Sequence, residues 1–126
     1  MKAEVGDLLE KSRHALVVSK DLLKDGHAPE AAGRAYYCMF YAAQALLKSQ
    51  GIKAFKHSGV EAQFGFHFSN AGKIDVRFHK MLRRARILRE DADYGVGPAL
   101  SDSTAKQLIL EGEEFIIEIK KLIGIS

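Results

Sequence analysis

Arg34 lies inside the stretch Ala31 to Leu47, AAGRAYYCMFYAAQALL, in which only Gly33, Arg34 and Gln44 are neither apolar nor aromatic. A guanidinium in such company is costly to desolvate unless it meets an anion. Two readings follow and both stay open: Arg34 ligates a bound anion, or it pairs with a carboxylate such as Asp91 or Asp93. Seven positions on, Tyr41 carries a hydroxyl that can hydrogen-bond a phosphate. With an unperturbed pKa of about 10, a phenol is a poor base near neutrality without strong help. A second group of candidates is LREDADY, Leu88 to Tyr94. If helical, Arg89 and Asp93 share a face at i, i+4, which suits a local ion pair and leaves Arg89 as a second candidate phosphate ligand, with Tyr94 at the helix exit.

The chain has five histidines, His14, His27, His57, His67 and His79. His57 stands four residues before Glu61, where a capping or hydrogen-bonded role is expected and a phosphate contact is the functional alternative. His67, between Phe66 and Phe68, reads as packed or solvated. No cysteine pair or HExxH pattern supports a metal site, and the glycines follow neither a P-loop nor a Rossmann pattern, so no metal or cofactor is expected. Arg77, Lys80, Arg83, Arg84, Arg86 and Arg89 form a basic run with the character of a phosphate-backbone footprint. The bland reading is a solvated face, or one paired with the acidic C-terminal segment. Tyr36, Tyr37 and Tyr41 could stack a base, but interface and core roles are the commoner use of tyrosine in such a stretch.

These residues need elements to hold them. The 126 residues fit one domain spanning 1–126, and 28% charged with 47% apolar residues excludes disorder. A net charge of +3 is only mildly basic. The N-terminal stretch is amphipathic rather than a signal peptide, and the single Cys38 cannot build a disulfide framework, so a cytoplasmic location is expected.

Val5, Leu8, Leu9, Ala15, Leu16, Leu22 and Leu23, with Ser12 and Ser19 on the same stripe, make a first helix ended by Asp25-Gly26. Pro29 opens a second, running to about Gln50 and roughly 33 Å long at about 1.5 Å per residue. Being apolar on most sides but short of a bilayer span once Arg34 and Gln44 are counted, this helix must be surrounded by protein. The short link makes the two helices antiparallel neighbours. After a basic loop from Ile52 to Lys56, His57 to Phe68 reads as a third helix, with Val60, Phe64 and Phe68 on one side and Ser58 as an N-cap. Ser69 to Gly72 is a turn. Asp75 opens a fourth helix with Phe78, Leu82, Ala85, Leu88 and Ala92 inward. Tyr94 to Pro98 breaks it, and Ser101-Asp102-Ser103 caps a fifth with Leu108, Phe115, Ile119 and Leu122 inward. No strand pattern occurs. The fold class is all-α, an up-and-down bundle of about five helices.

RAYYCMFYAAQALL with its glycine turn, KHSGV, FGFHF and LREDADY, in this order, resemble the small prokaryotic HEPN-domain proteins of the type found beside minimal nucleotidyltransferases. The resemblance spans nearly the whole chain. It implies a five-helix bundle that dimerises, here through the second helix, and in many relatives a ribonuclease toxin with the neighbouring nucleotidyltransferase as antidote. The family's nuclease signature is an Arg followed after four to six residues by a His, and no Arg–His pair here has that spacing. Tyr41 stands where a His would complete the motif begun by Arg34.

The resemblance therefore implies a protein that binds RNA, a nucleotide or a nucleotidyltransferase partner, in a toxin–antitoxin-like pair and without catalysis. Arg34, His57, Arg89 and Tyr94 are the expected nucleotide or phosphate ligands, assisted by the basic fourth helix. The alternative is a metal-independent RNase with an unorthodox site around Arg34 and Tyr41, in which Tyr41 or His57 replaces the missing base.

Overall fold

The computed structural model describes residues 2–54, 56–95 and 97–125. Phe55 of the basic loop and Val96 of the connection after Tyr94 lie outside the described residues, as do both terminal residues. Helix α1 spans Lys2–Lys24, α2 Ala28–Ser49, α3 His57–Phe64, α4 Val76–Tyr94 and α5 Asp102–Ile123; a π-turn, Gly65–Ser69, continues α3. The described residues contain no strand.

Helix α2 packs against all four other helices, which is what its nearly uniform apolar surface demands. Its buried side chains include Ala31, Ala35, Tyr36, Cys38, Met39, Leu46 and Leu47. Helix α1 runs antiparallel along it. Two buried serines mark the register: Ser12 Oγ donates to the Cys38 carbonyl (2.7 Å) and Ser19 Oγ to the Ala31 carbonyl (2.6 Å). The serines on the apolar stripe thus bury their hydroxyls at no unsatisfied cost. On another side, α5 meets α2 at Gly112, with Cys38 Sγ 3.7 Å from the Gly112 carbonyl oxygen. Phe64, Phe78 and Phe115 close the core between α3, α4 and α5, with ring centroids 5.5 and 6.0 Å apart along that chain of contacts.

The helix boundaries follow local chemistry. Gly26, Gly95 and Gly124 adopt the left-handed conformation at the ends of α1, α4 and α5, where a side chain would be strained. Asp75 caps α4 by accepting from the Arg77 N–H (2.9 Å), and Ser101 caps α5 by accepting from that of Thr104 (3.2 Å).

The third helix differs from expectation in two ways. Its N-cap is Lys56, without a side-chain bond, so Ser58 lies within the first turn rather than capping it. The regular helix also stops at Phe64, and Gly65–Ser69 widens into the π-turn, where the Asn70 N–H reaches the Gly65 carbonyl (2.8 Å). The His79 ring of α4 occupies the space beside Gly65, at the start of this turn.

Candidate functional site

One stripe of α2 escapes burial. Arg34, Tyr37, Tyr41, Gln44 and Lys48, recurring every three or four residues, are all half-buried while the residues between them are covered. They floor a groove beside α1. At its head is an open cleft of about 560 Å³ whose lining includes Arg34, Tyr37, Arg89 and Asp93. The next, of about 360 Å³, joins Arg34 and Tyr41 to Glu10, Lys11 and His14 of α1. The last, of about 300 Å³, holds Gln44 and Lys48, the latter 2.8 Å from Glu4.

The head of the groove is built on Tyr37. The Arg34 guanidinium lies 4.8 Å from the centre of its ring and that of Arg89 5.3 Å, so two cations from α2 and α4 share one aromatic face system. Arg89 pairs with Asp93 at 3.1 Å, as the i, i+4 spacing predicts. Arg34 makes no ion pair among the described residues, which removes Asp91 and Asp93 as its structural partners. Glu30, one turn earlier on α2, lines the same cleft without reaching either guanidinium.

His57, the first residue of α3, is fixed on the other side of the tyrosines. Its ring stacks on Phe40 (4.3 Å, 12°) and meets the Tyr37 ring edge-on at 5.5 Å. The buried Tyr36 hydroxyl lies 2.7 Å from Nδ1. Burial holds the imidazole toward its neutral form, the Arg89 charge pushes it the same way, and Glu90 opposes them. Burial likewise drives the Tyr36 hydroxyl well above its usual range, so it stays protonated. His57 is thus held toward its neutral form in a hydrogen bond with Tyr36.

A family model described as "HEPN domain" matches residues 5–122. The chain belongs to the HEPN family. Among the relatives of this HEPN domain, the protein "Putative toxin MJ0605" of Methanocaldococcus jannaschii is 32% identical over 123 residues, covering 98% of this chain and 91% of the relative. "Putative toxin MJ0142" of the same organism is 32% identical over 122 residues, covering 97% and 83%. A "UPF0332 protein" of Thermotoga maritima is 35% identical over 113 residues, covering 90% and 86%.

Within this HEPN domain the residues singled out from the sequence are only partly brought together. Arg34 and Arg89 converge; Tyr41 shares the second cleft with Arg34; His57 abuts both through Tyr37 and the field of Arg89. Tyr94 does not join them: it is 80% exposed at the end of α4 and lines none of these clefts. The basic face of α4 is also largely spent. Arg77 pairs with Glu114, Arg84 with Glu111, Arg86 with Glu61 and Glu90, and Arg89 with Asp93. Lys80 and Arg83 alone keep free charge on this face among the described residues, because carboxylates of α3, α5 and α4 itself pair with the rest.

His14 is the residue that spacing alone could not find. It belongs to α1, twenty positions before Arg34 in a different helix, and only the α1–α2 register places it beside Arg34 and Tyr41. Cys38 is no nucleophile, since its thiol is buried and burial pushes its pKa up to about 11. Among the described residues no three His, Cys, Asp or Glu side chains stand together as metal ligands, and no helix is long and apolar enough to cross a membrane.

Proposed function

We propose that this chain is a toxin-type HEPN protein that binds RNA along the α2 groove, with Arg34 and Arg89 holding backbone phosphate. The observation that carries this reading is the convergence of the two guanidiniums on Tyr37 in one open cleft. Guanidinium forks match phosphate oxygens, and the aromatic ring holds them in place without consuming their N–H donors. A phosphate would take the place of Asp93 on Arg89 and find Arg34 unpaired. His57, held toward its neutral form against Tyr37, adds no charge beside the two guanidiniums. The toxin names of the relatives point the same way. A minimal nucleotidyltransferase as the companion, and a homodimer, belong to the same reading.

The test uses a labelled single-stranded RNA in EDTA. Wild type binds it in a salt-dependent manner, and Arg34→Ala or Arg89→Ala weakens binding about tenfold each, as loss of a charged hydrogen bond should. Unchanged affinity in both variants would overturn the reading.

A second reading, cleavage of the RNA, is favoured by one observation: His14 and Lys11 line the same cleft as Arg34 and Tyr41. His14 would accept the 2′-hydroxyl proton as that oxygen attacks phosphorus, and the 5′-oxygen would depart with a proton given by the Lys11 ammonium, while Arg34 stabilises the crowded phosphate. Metal-independent cleavage lost in both His14→Ala and Arg34→Ala would establish it. Binding without turnover would leave the first reading alone.

A further inference from the structure

Helix α4 turns toward solvent a ridge that the groove does not use. Val76, Lys80, Arg83, Ile87 and Tyr94 follow one another at intervals of three, four or seven residues, and all are exposed. Three of them, Val76, Ile87 and Tyr94, are large apolar or aromatic side chains, Ile87 being 40% open at the middle of the ridge. Arg89, two residues after Ile87, points about 160° away from it. The ridge is therefore on the side of α4 opposite the Arg34–Arg89 cleft.

The charges of α4 run against its own dipole. Its first turn holds no acid and its last turn no base; the bases come early, and Glu90, Asp91 and Asp93 come at the end. A helix dipole favours the reverse order. Asp93 is answered by Arg89, but Arg83 and Asp91 make no ion pair among the described residues. Each stands four residues from Ile87, so the place of a helical partner between them is taken by an apolar side chain. Within one chain this arrangement gains nothing.

We infer that α4 is the seam of a homodimer, in which the same helix of a second copy lies antiparallel along this ridge with Ile87 on the two-fold axis. Around Ile87, Arg84 and Asp91 share one flank of the ridge, and Arg83 and Glu90 share the other. A two-fold axis sets each flank against the same flank of the second copy. Arg84 then faces the second copy's Asp91, and Arg83 its Glu90, each pair occurring twice. Arg84 is 3.6 Å from Glu111 and Glu90 3.2 Å from Arg86, yet both side chains stay about half exposed and free to take a further partner. Ile87 is covered by its own copy, and Lys80 meets the second copy's Tyr94, an ammonium over a ring. A parallel pair would set base on base, and a foreign helix would not require this symmetry about Ile87. The inference rests on the homodimer in the reading above, to which it gives a face and a register, and it leaves the Arg34–Arg89 cleft of both copies open.

The test is sedimentation equilibrium of the full chain at low salt, joined to cysteine cross-linking. Wild type should sediment as a dimer. Arg83→Glu sets acid against acid and should raise the dimer dissociation constant about tenfold or more, and Arg83→Glu combined with Glu90→Arg should restore most of the loss. Ile87→Cys should give a disulfide-linked dimer on mild oxidation, because the axis brings that residue against its own copy. Wild type, whose Cys38 is buried, should give none, nor should Leu110→Cys, which is equally open but on α5. A dimer that Arg83→Glu leaves unchanged and that Ile87→Cys does not link would overturn the α4 seam while the homodimer stands. A monomer mass with no cross-link overturns both.

Discussion

The ring of His79 occupies the place of a side chain at Gly65: a Cβ built there would stand 2.7 Å from Nε2, closer than atoms can pack. That position is buried, and its φ is ordinary, so the glycine is required by its neighbour and not by its own backbone. Gly65→Ala should therefore lower stability by about 1 kcal/mol, the overpacking cost less the helix-propensity gain. Urea unfolding measures it. In a His79→Ala background the same substitution should become neutral or stabilising; an equal cost in both backgrounds would mean that the contact is not the reason.

His57 makes stability depend on pH. Its folded pKa lies below the unfolded value of 6.5 because burial, aided by Arg89, disfavours the charged form. Below that unfolded value the unfolded chain takes up the proton first, so stability is full above about pH 6.5 and falls as the pH drops through it. His57→Gln should flatten this part of the profile when urea midpoints at about pH 7.5 and about pH 5.5 are compared.

Gly112 has room that Gly65 lacks. A Cβ there would meet Cys38 Sγ and Leu16 Cδ1 at 3.6 Å and the Ala35 carbonyl at 3.9 Å, all ordinary contacts. Because this glycine sits inside a long helix, Gly112→Ala should stabilise by about 0.5–1 kcal/mol. A rise in the thermal midpoint checks it, and a fall would show that the α2–α5 approach is tighter than these distances allow.

The ion pairs of α4 are unequal. Arg86 and Glu61 are 23% and 15% exposed, against 52% for both Arg77 and Glu114. Arg86→Ala strands a mostly covered Glu61 and should cost about 1–2 kcal/mol, between the buried and the surface limits. Arg77→Ala should be indistinguishable from wild type in the same urea titration. Adding salt should narrow the difference only slightly, since covered pairs are screened little.

The sequence by itself determined the elements. The apolar spacing of α1, α4 and α5, the absence of glycine or proline between Gly33 and Gly51, and the caps at Asp75 and Ser101 are local signals, and helices are local structures, so their number and order were legible. The i, i+4 pair of Arg89 and Asp93 was legible for the same reason. The four matching blocks of residues gave the HEPN family as well.

Tertiary structure alone decided what meets across helices. Tyr36 and His57 are twenty-one residues apart and bond because α3 folds back on α2. Arg34 meets Arg89 over Tyr37, and His14 faces Arg34 and Tyr41, through helix registers that no spacing along one helix encodes. The space beside Gly65 is filled by a ring fourteen positions later, and the basic run of α4 loses most of its free charge to carboxylates of α3 and α5 as well as its own. Periodicity records which face of a helix is covered; which group covers it is fixed only when side chains of distant elements compete for the same space and the same charge.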